Sequence, residues 1–185
     1  MRWRTVAVQW VTFGVLLAIL ATIQIYHPEW TGIDMGRTPA SGNNYQAIDG
    51  DSFKAGNTEV RLHGIDAPEY RQTCSEKGKP QPCGRLALDA LSKLIRNKDI
   101  ACKIINRDRY GRQVSVCRDG ALDINREMVR LGWAVAYRKH ALDYVNAERE
   151  AKTAKRGIWA WGFELPEEYR ARNRVVQGSI SSSEE

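Results

Sequence analysis

Histidine is scarce in this chain of 185 residues, and the motifs that organise several common catalytic sites are missing. The three histidines, His27, His63 and His140, lie far apart in the sequence and form none of the familiar paired-histidine signatures. No G-x-S-x-G, no G-x-x-x-x-G-K-[ST] and no G-x-G-x-x-G occurs. These absences disfavour catalysis by paired histidines, a serine nucleophile elbow, a phosphate-binding P-loop and a dinucleotide-binding fold.

The spacing C-x-x-C is also absent, which disfavours a zinc knuckle, although the chain has four cysteines. Four cysteines can pair in three ways, and we favour pairing between neighbours in sequence. Cys74 and Cys83 flank the polar loop SEKGKPQP, whereas Cys102 and Cys117 are equidistant from Arg109–Tyr110, the expected tip of a hairpin. Residues placed in this way face each other across two strands, where a disulfide bond is sterically allowed. Four reduced thiols in a cytosolic protein are the alternative.

Charge is missing altogether from residues 5–26, a mostly apolar segment that is long enough to cross a bilayer as a helix of about 20 residues. Two arginines precede the segment and acidic residues follow it, so the positive-inside rule keeps residues 1–4 in the cytoplasm. We therefore predict a single-pass signal anchor in the cytoplasmic membrane, with the remaining chain on the periplasmic or extracellular side. A cleaved secretory signal, which would release the protein, is the alternative.

Composition divides the rest of the chain into three parts. Residues 27–44 are rich in glycine, proline and polar residues, as is typical of a tether. A folded domain is expected over residues 45–165, followed by a C-terminal extension and disordered tail over residues 166–185.

The pattern of residues 45–165 is that of a small domain in which short strands are mixed with helices. Helices are expected over Arg85–Arg96 and Leu142–Lys155, with another beginning at Asp123. The expected strands are Tyr45–Ile48, Ser52–Lys54, Glu59–Ile65, Ile100–Arg107 and Gln113–Arg118. This mixture favours an α+β domain with a curled, barrel-like sheet.

Acidic residues cluster between Ala47 and Arg71, although the formal net charge of the chain is +6. Asp51 opens the outgoing strand of a predicted hairpin and Asp66 ends the returning strand, so both lie at the same end of the hairpin. Two carboxylates, a backbone carbonyl and waters form a hard-oxygen site suited to Ca²⁺ or Mg²⁺. Ordinary turn chemistry in DGD and DAPE is the alternative.

Arginines lie close to these acids in the sequence. Arg61 is on the returning strand, and the stretch RDRYGR places Arg107, Arg109 and Arg112 around a Tyr-Gly turn. A guanidinium group binds phosphate through two parallel hydrogen bonds and keeps its charge, so arginines beside a metal ion suit phosphoryl transfer. Glu69 could orient or deprotonate a water near that metal. Solvated surface arginines and a surface glutamate are the alternative.

Five stretches occur in order between Tyr45 and Trp161: DGDSF, VRLHGIDAPE, DRYGR, NREMVRLGWAVAY and AKRGIWAW. Together they resemble the staphylococcal nuclease (thermonuclease) family. The resemblance implies a five-stranded OB-type β-barrel with three α-helices, here preceded by the predicted N-terminal transmembrane helix. It also implies a calcium-dependent endonuclease that hydrolyses the phosphodiester bonds of DNA and/or RNA with little sequence preference.

The resemblance implies roles for individual residues. Arg61 and Arg112 match the arginines that grip the scissile phosphate and stabilise its transition state, and Glu69 matches the glutamate assigned to the attacking water. Three residues match the family's calcium ligands: the side chains of Asp51 and Asp66 and the carbonyl of Ala67.

Substrate contacts follow from the same resemblance, with some departures. Tyr110 and Tyr137 match tyrosines beside the bound nucleotide, and Arg109 stands where the family often has lysine. Ala67 replaces the more familiar threonine, which a backbone carbonyl ligand tolerates. The stretch RKH after Tyr137 lacks a second tyrosine, and the loop CSEKGKPQPC differs in composition.

Two other hypotheses use the same residues without catalysis. A non-catalytic OB-type module tethered to the membrane could bind nucleic acid through aromatic and basic surfaces. A membrane-tethered interaction protein could use its charge for lipid headgroups or for a protein partner. The retained acidic and arginine positions favour the nuclease over both, and we expect its catalytic domain to be monomeric.

Overall fold

The computed structural model describes residues 44–181, with side chains as far as residue 175. The predicted transmembrane segment, residues 5–26, lies outside the described residues, as does nearly all of the predicted tether. Within residues 44–181, no helix has both the length and the apolar character needed to span a bilayer.

Ten β-strands lie within residues 44–181: β1 (Tyr45–Ala47), β2 (Ser52–Ala55), β3 (Thr58–Leu62), β4 (Ile65–Asp66), β5 (Cys74–Glu76), β6 (Lys79–Gln81), β7 (Ile100–Arg107), β8 (Gln113–Asp119), β9 (Leu122–Asp123) and β10 (Val135–Ala136). Six of them form the main sheet, in the order β1-β2-β3-β8-β7 with the short strand β9 also paired to β8. Its strands β3 and β8 run parallel, whereas the other neighbours are antiparallel. Two small sheets, β4 with β10 and β5 with β6, stand beside it.

The α+β class is confirmed, whereas the main sheet has six strands, one more than the predicted five. Across residues 44–181 no ladder joins β1 to β7, so the sheet is an OB-like half-barrel and the predicted closure of the barrel is not shown. The prediction of three helices falls short, because four α-helices are described: α1 (Cys83–Ile95), α2 (Ile124–Arg130), α3 (Val145–Thr153) and α4 (Pro166–Ser181). Helix α4 lies where the sequence predicts an extension and a disordered tail.

The predicted strand Glu59–Ile65 is interrupted at its end. β3 stops at Leu62 and β4 begins at Ile65, because the chain turns at Gly64, whose φ of 74° lies in the left-handed region that favours glycine. This corner takes Asp66 out of the main sheet and into the ladder with β10.

The larger of two hydrophobic clusters within residues 44–181 contains residues of both the sheet and the helices. Phe53 of β2 and Val60 of β3 are paired across the hairpin and are both fully buried. Leu91 of α1 and Met128 of α2 pack in the same cluster. This burial fixes the hairpin against two helices, and so it fixes the position of the residues at the end of the hairpin.

Both predicted disulfide bonds are confirmed. Cys74 is bonded to Cys83 and joins β5 to the start of α1, whereas Cys102 and Cys117 are bonded across the β7–β8 hairpin. The β7–β8 register places Cys102 directly opposite Cys117. Gly84, which follows Cys83, lies against the Glu69 carbonyl, so this disulfide bond holds the start of α1 next to the loop that carries Glu69.

Candidate functional site

The β2–β3 hairpin gathers predicted site residues at one end of the sheet. Ser52 pairs with Arg61, and Asp51 directly precedes Ser52. The glycine of DGD has no room for a side chain, because a Cβ on Gly50 would lie 2.6 Å from the Cβ of Ala67. Gly50 therefore allows the Asp51 corner to lie against the segment that follows β4.

Arg61 bonds to both of the predicted metal-binding aspartates. Its Nη1 donates to Asp51 Oδ1 at 2.7 Å, and its Nη2 donates to Asp66 Oδ1 at 3.1 Å. The backbone N–H of Ala67 donates to Asp51 Oδ2 at 3.0 Å. The two carboxylate side chains are only 4% and 1% exposed. Two buried acids therefore share one guanidinium group at the bottom of the site.

The carboxylates around Arg61 carry more negative charge than this one arginine compensates. Burial is the main cause that raises the pKa of Asp51 well above its ordinary value, and Arg61 only partly opposes this rise. The charges of Asp49 and Asp66 raise the pKa of Asp51 further. Burial also opposes the charged form of Arg61, but Asp51 and Asp66 outweigh it and raise the pKa of Arg61. Such a cluster favours further positive charge beside it.

Glu69 lies on the loop after β4, and Gln72 holds that loop. The Glu69 N–H donates to Gln72 Oε1 at 3.2 Å, and the Gln72 N–H donates to the Glu69 carbonyl at 2.7 Å. Helix α1 starts against the same loop, since a Cβ on Gly84 would lie only 1.8 Å from the Glu69 carbonyl oxygen. The Glu69 side chain is 36% exposed, so a water molecule can reach it.

Asp108 holds Arg112 at the tip of the β7–β8 hairpin. Asp108 Oδ1 accepts hydrogen bonds from the backbone N–H groups of Tyr110 and Arg112, and Oδ2 accepts from Arg112 Nε at 2.7 Å. Burial opposes the charged form of Asp108, but the hydrogen bonds from Arg112 and Tyr110 lower its pKa. The turn thus fixes the Arg112 guanidinium through a carboxylate that stays ionised.

The predicted nucleotide-contacting residues differ in their surroundings. Tyr110 is 69% exposed, and the Arg109 guanidinium lies 4.9 Å from the centre of its ring. The Arg112 guanidinium lies 5.4 Å from the same ring. The ring of Tyr137 packs edge-on against that of His140, with the ring centres 4.7 Å apart. Exposed rings next to guanidinium groups are suited to bases and phosphates.

Arg170 of α4 is a site residue that sequence reasoning missed. Its Nη1 donates to Asp66 Oδ1 at 2.9 Å and to Glu69 Oε1 at 2.8 Å, and its Nη2 donates to Asp66 Oδ2 at 2.9 Å. Burial opposes its charge, but the bonds to Asp66 and Glu69 outweigh that cost and raise the pKa of Arg170. Pro166 followed by two glutamates is a helix-start signal that could have predicted α4. No local signal points to the long-range contact made by Arg170.

One cleft of about 1150 Å³ joins these residues. Its lining includes six of the predicted catalytic and substrate-binding residues: Arg61, Glu69, Arg109, Tyr110, Arg112 and Tyr137. Asp51, Asp66 and Ala67 are buried, with Asp51 and Asp66 bonded to Arg61 at the edge of the cleft. The remaining lining includes four more arginines and two more tyrosines, and α4 contributes Tyr169, Arg170, Asn173 and Arg174.

A divalent cation that prefers oxygen ligands fits the donors at this point. The carboxylates of Asp51 and Asp66 are hard oxygen donors, and burial raises the pKa of Asp51 more than Arg61 lowers it. Within the described residues, no group of three or more His, Cys, Asp and Glu side chains could hold a metal ion. A cation here would therefore take its other ligands from the backbone and from water.

A search against protein-family models matches residues 59–161 to the staphylococcal nuclease homologue model. The matched range includes Arg61, Asp66, Glu69 and Arg112, and it begins after Asp51.

Curated proteins similar to this chain are named as endonucleases or as a staphylococcal-like nuclease. The chain is 37% identical over 134 residues to "Probable endonuclease LCL3" of Schizophyllum commune, covering 61% of this chain and 44% of that protein. It is 32% identical over 132 residues to "Uncharacterized endonuclease" of Escherichia coli O157:H7, covering 68% of this chain and 80% of that protein. It is 33% identical over 127 residues to "Probable staphylococcal-like nuclease CAN3" of Oryza sativa subsp. japonica, covering 67% of this chain and 31% of that protein. The chain thus spans less than half of the fungal and rice relatives.

Proposed function

The chain belongs to the staphylococcal nuclease family and carries its nuclease domain, and on that premise we propose that the protein is a calcium-dependent endonuclease. It hydrolyses the phosphodiester bonds of DNA and/or RNA with little sequence preference. One observation carries the proposal. The buried acids Asp51 and Asp66 share Arg61 at the edge of a cleft that Glu69 and Arg112 also line.

The cation would be held by the side chains of Asp51 and Asp66 and by the carbonyl of Ala67. When bound, Ca²⁺ supplies positive charge that polarises the phosphate and makes a nearby water more acidic. The raised pKa of Asp51 supports this assignment, because a carboxylate buried without sufficient positive charge gains most from a cation beside it.

Arg61 and Arg112 bind the non-bridging oxygens of the scissile phosphate. Each is already oriented by a carboxylate, Arg61 by Asp51 and Asp66, and Arg112 by Asp108. Donors fixed in place before the reaction need little reorganisation when charge develops on the phosphate oxygens, and so they stabilise the transition state.

Glu69 accepts the proton of the attacking water. The water oxygen forms a bond to phosphorus as the bond from phosphorus to the leaving nucleoside oxygen breaks. The water proton passes to the carboxylate, and the leaving oxygen takes up a proton from solvent. The loop held by Gln72 and Gly84 fixes the Glu69 backbone, while its partly exposed carboxylate can meet a water in the cleft.

Digestion of plasmid DNA and of RNA by the full chain tests this function. We expect cleavage with Ca²⁺, loss of cleavage with EDTA, and strongly reduced cleavage by Glu69→Gln. Arg149→Ala is the control, because Arg149 is exposed on α3 and is not among the residues that line the cleft. A parallel arm with Mg²⁺ alone tests the choice of metal. Digestion that continues unchanged in EDTA would contradict the proposal.

The non-catalytic binding module is not favoured, since every predicted acidic and arginine position is present. Saturable DNA binding by the wild-type protein in Ca²⁺, with no product formed, would support that alternative.

A location outside the cytoplasm is part of the proposal. Two disulfide bonds, Cys74–Cys83 and Cys102–Cys117, support it, because such bonds persist in oxidising compartments. The membrane anchor over residues 5–26 and the monomeric state stay predictions. Fractionation of cells into membrane and soluble parts, with and without residues 5–26, tests the anchor.

A further inference from the structure

Helix α4 presents one face to the nuclease cleft. Tyr169, Arg170, Asn173 and Arg174 all line it, and their spacing in sequence is that of neighbouring positions on one side of a helix. None of these residues falls in the matched family range, which ends at residue 161. The helix therefore adds to the cleft a surface that the proposed catalytic residues do not account for.

We propose that α4 is a nucleic-acid-binding element of the cleft and that Arg170 fastens it to the catalytic centre through Asp66 and Glu69. The proposal rests on the proposed function, since it assigns more of the same cleft to the substrate. Its ligand is a nucleic-acid strand whose phosphates meet Arg174 and whose bases stack on Tyr169.

Polar contacts attach the described side chains of α4 and the segment before it to the rest of the domain. Arg170 contacts both oxygens of Asp66 and one of Glu69. Just before the helix, Gln72 Nε2 donates to the Glu164 carbonyl at 2.7 Å, which links the helix start to the loop that carries Glu69. The first turn adds an ion pair between Glu167 and Lys139. The same loop thus orients Glu69 and holds the segment that leads into α4.

Tyr169 is held in place before any ligand arrives. The Arg172 guanidinium lies 5.1 Å from the centre of its ring, and Arg172 is in turn paired with Glu164 at 2.9 Å. Arg174 is exposed and lies one helical turn beyond Arg170 on the face that lines the cleft. A fixed ring with arginines along the same groove is the arrangement that binds a single strand.

The rest of the cleft has matching chemistry. Arg107, Arg109 and Tyr110 of the β7–β8 hairpin line it, and so do Tyr70 and Arg71 of the loop after β4. Tyr70 is 51% exposed and Tyr110 is 69% exposed. Arginines and exposed tyrosines on several elements indicate a binding track longer than the single scissile phosphate, and α4 supplies part of that track.

The binding of a fluorescent single-stranded oligonucleotide of about 12 nucleotides tests the proposal. Fluorescence anisotropy is measured in EDTA, so that the oligonucleotide is not cleaved. We expect Tyr169→Ala to weaken binding by about tenfold, because loss of one stacking ring has an effect of that order. Tyr169→Phe, which keeps the ring, should bind as the wild type does. Arg174→Ala should lower the slope of log affinity against log salt by about 0.7, the value for one lost phosphate contact on a single strand.

Arg149→Ala is the matched control for Arg174→Ala. Both remove one exposed arginine from a helix, but Arg149 is absent from the cleft lining. Its salt slope should stay at the wild-type value. Circular dichroism of each variant confirms that the fold is kept.

The role of Arg170 is tested by a double-mutant cycle. If Arg170 holds α4 in place, the tenfold effect of Tyr169→Ala should shrink to about twofold in an Arg170→Ala background, because the loss of Arg170 would release the helix that positions Tyr169. Hydrogen exchange of the α4 amides should rise in Arg170→Ala and return towards the wild-type level in Arg170→Lys.

Wild-type affinity and salt slope in both Tyr169→Ala and Arg174→Ala would overturn the assignment of α4 to the substrate. Strict additivity in the cycle, with unchanged exchange, would overturn the role of Arg170. Neither result touches the proposed function, whose failure would appear separately as a lack of cation-dependent cleavage by the wild type.

Discussion

Two clusters in this domain are built around a buried carboxylate, Glu148 in one and Asp51 in the other, and they differ in charge balance. Around Glu148 of α3, one carboxylate meets two cations, since Arg138 and Lys152 donate to Oε2 at 2.6 and 2.9 Å, and the Ala136 N–H donates to Oε1 at 3.1 Å. Burial opposes the charged form of Glu148, but these hydrogen bonds outweigh it and lower its pKa. The cluster is complete without any ligand.

The cluster around Asp51 has the opposite balance. Burial dominates, and it raises the pKa of Asp51 well above its ordinary value even though Arg61 lies 2.7 Å away. Asp49 and Asp66 add negative charge close by. A carboxylate whose charge is fully satisfied by its own protein serves the fold, whereas one left short of positive charge suits a cation.

Removal of one arginine from each cluster should give the largest difference between the two clusters, and that difference should be in kcat. Arg61→Ala should lower kcat by about 10²–10³, because a preorganised donor to the transition state is lost. Arg138→Ala removes an arginine from the Glu148 cluster and should leave kcat within about twofold of the wild type. The check is steady-state cleavage of a labelled oligonucleotide, corrected for the folded fraction. Equal losses in the two variants would contradict the distinction.

Neutralisation of one acid in each cluster should lower the free energy of unfolding more at Glu148 than at Asp51. Glu148→Gln should lower the free energy of unfolding by about 1–3 kcal/mol, since it removes hydrogen bonds to two charged groups at a buried carboxylate. Asp51→Asn should cost less, because burial already disfavours the charge that it removes. Urea unfolding followed by circular dichroism measures both. A larger loss in Asp51→Asn would count against the account.

Unfolding measured over a series of pH values tests whether the stability difference comes from the charge of Glu148. The pKa of Glu148 is lower in the folded chain than its ordinary value of 4.5, so its contribution to stability is present above that value. The contribution is lost as the pH falls through the folded pKa. The urea midpoints of the wild type and Glu148→Gln should therefore differ at neutral pH and converge well below pH 4.5. A constant difference over this range would show that Glu148 acts through packing alone.

Local sequence patterns were sufficient for the positions of the five longer strands of the main sheet and for part of the site. A turn signal between two short strands places Asp51 and Arg61 at one end of a hairpin, and alternating burial fixes which side of the strands faces the core. Equal spacing from a hairpin tip likewise predicts the Cys102–Cys117 pair. These inferences succeed because both members of each pair lie on one hairpin.

Other features depend on contacts that no local pattern specifies. Arg170 reaches Asp66 across 104 positions of sequence, and Gln72 reaches the Glu164 carbonyl across 92. The loop SEKGKPQP folds as the β5–β6 hairpin because Lys77 and Gly78 both adopt positive φ, a turn that lysine enters only with strain. Tertiary packing decides these positions, so sequence periodicity alone could not predict them.

A calcium titration of the full chain, followed by calorimetry and by thermal unfolding, tests the central claim most directly. The account predicts saturable Ca²⁺ binding by the wild type, with a stabilisation of about 2.7 kcal/mol at a hundredfold excess over Kd. Glu148→Gln should bind Ca²⁺ with the wild-type affinity, whereas Asp66→Asn should lose most of the binding heat and most of the stabilisation. Equal calcium affinity in the wild type and Asp66→Asn, or no calcium binding by the wild type, would contradict a cation site at this acidic cluster.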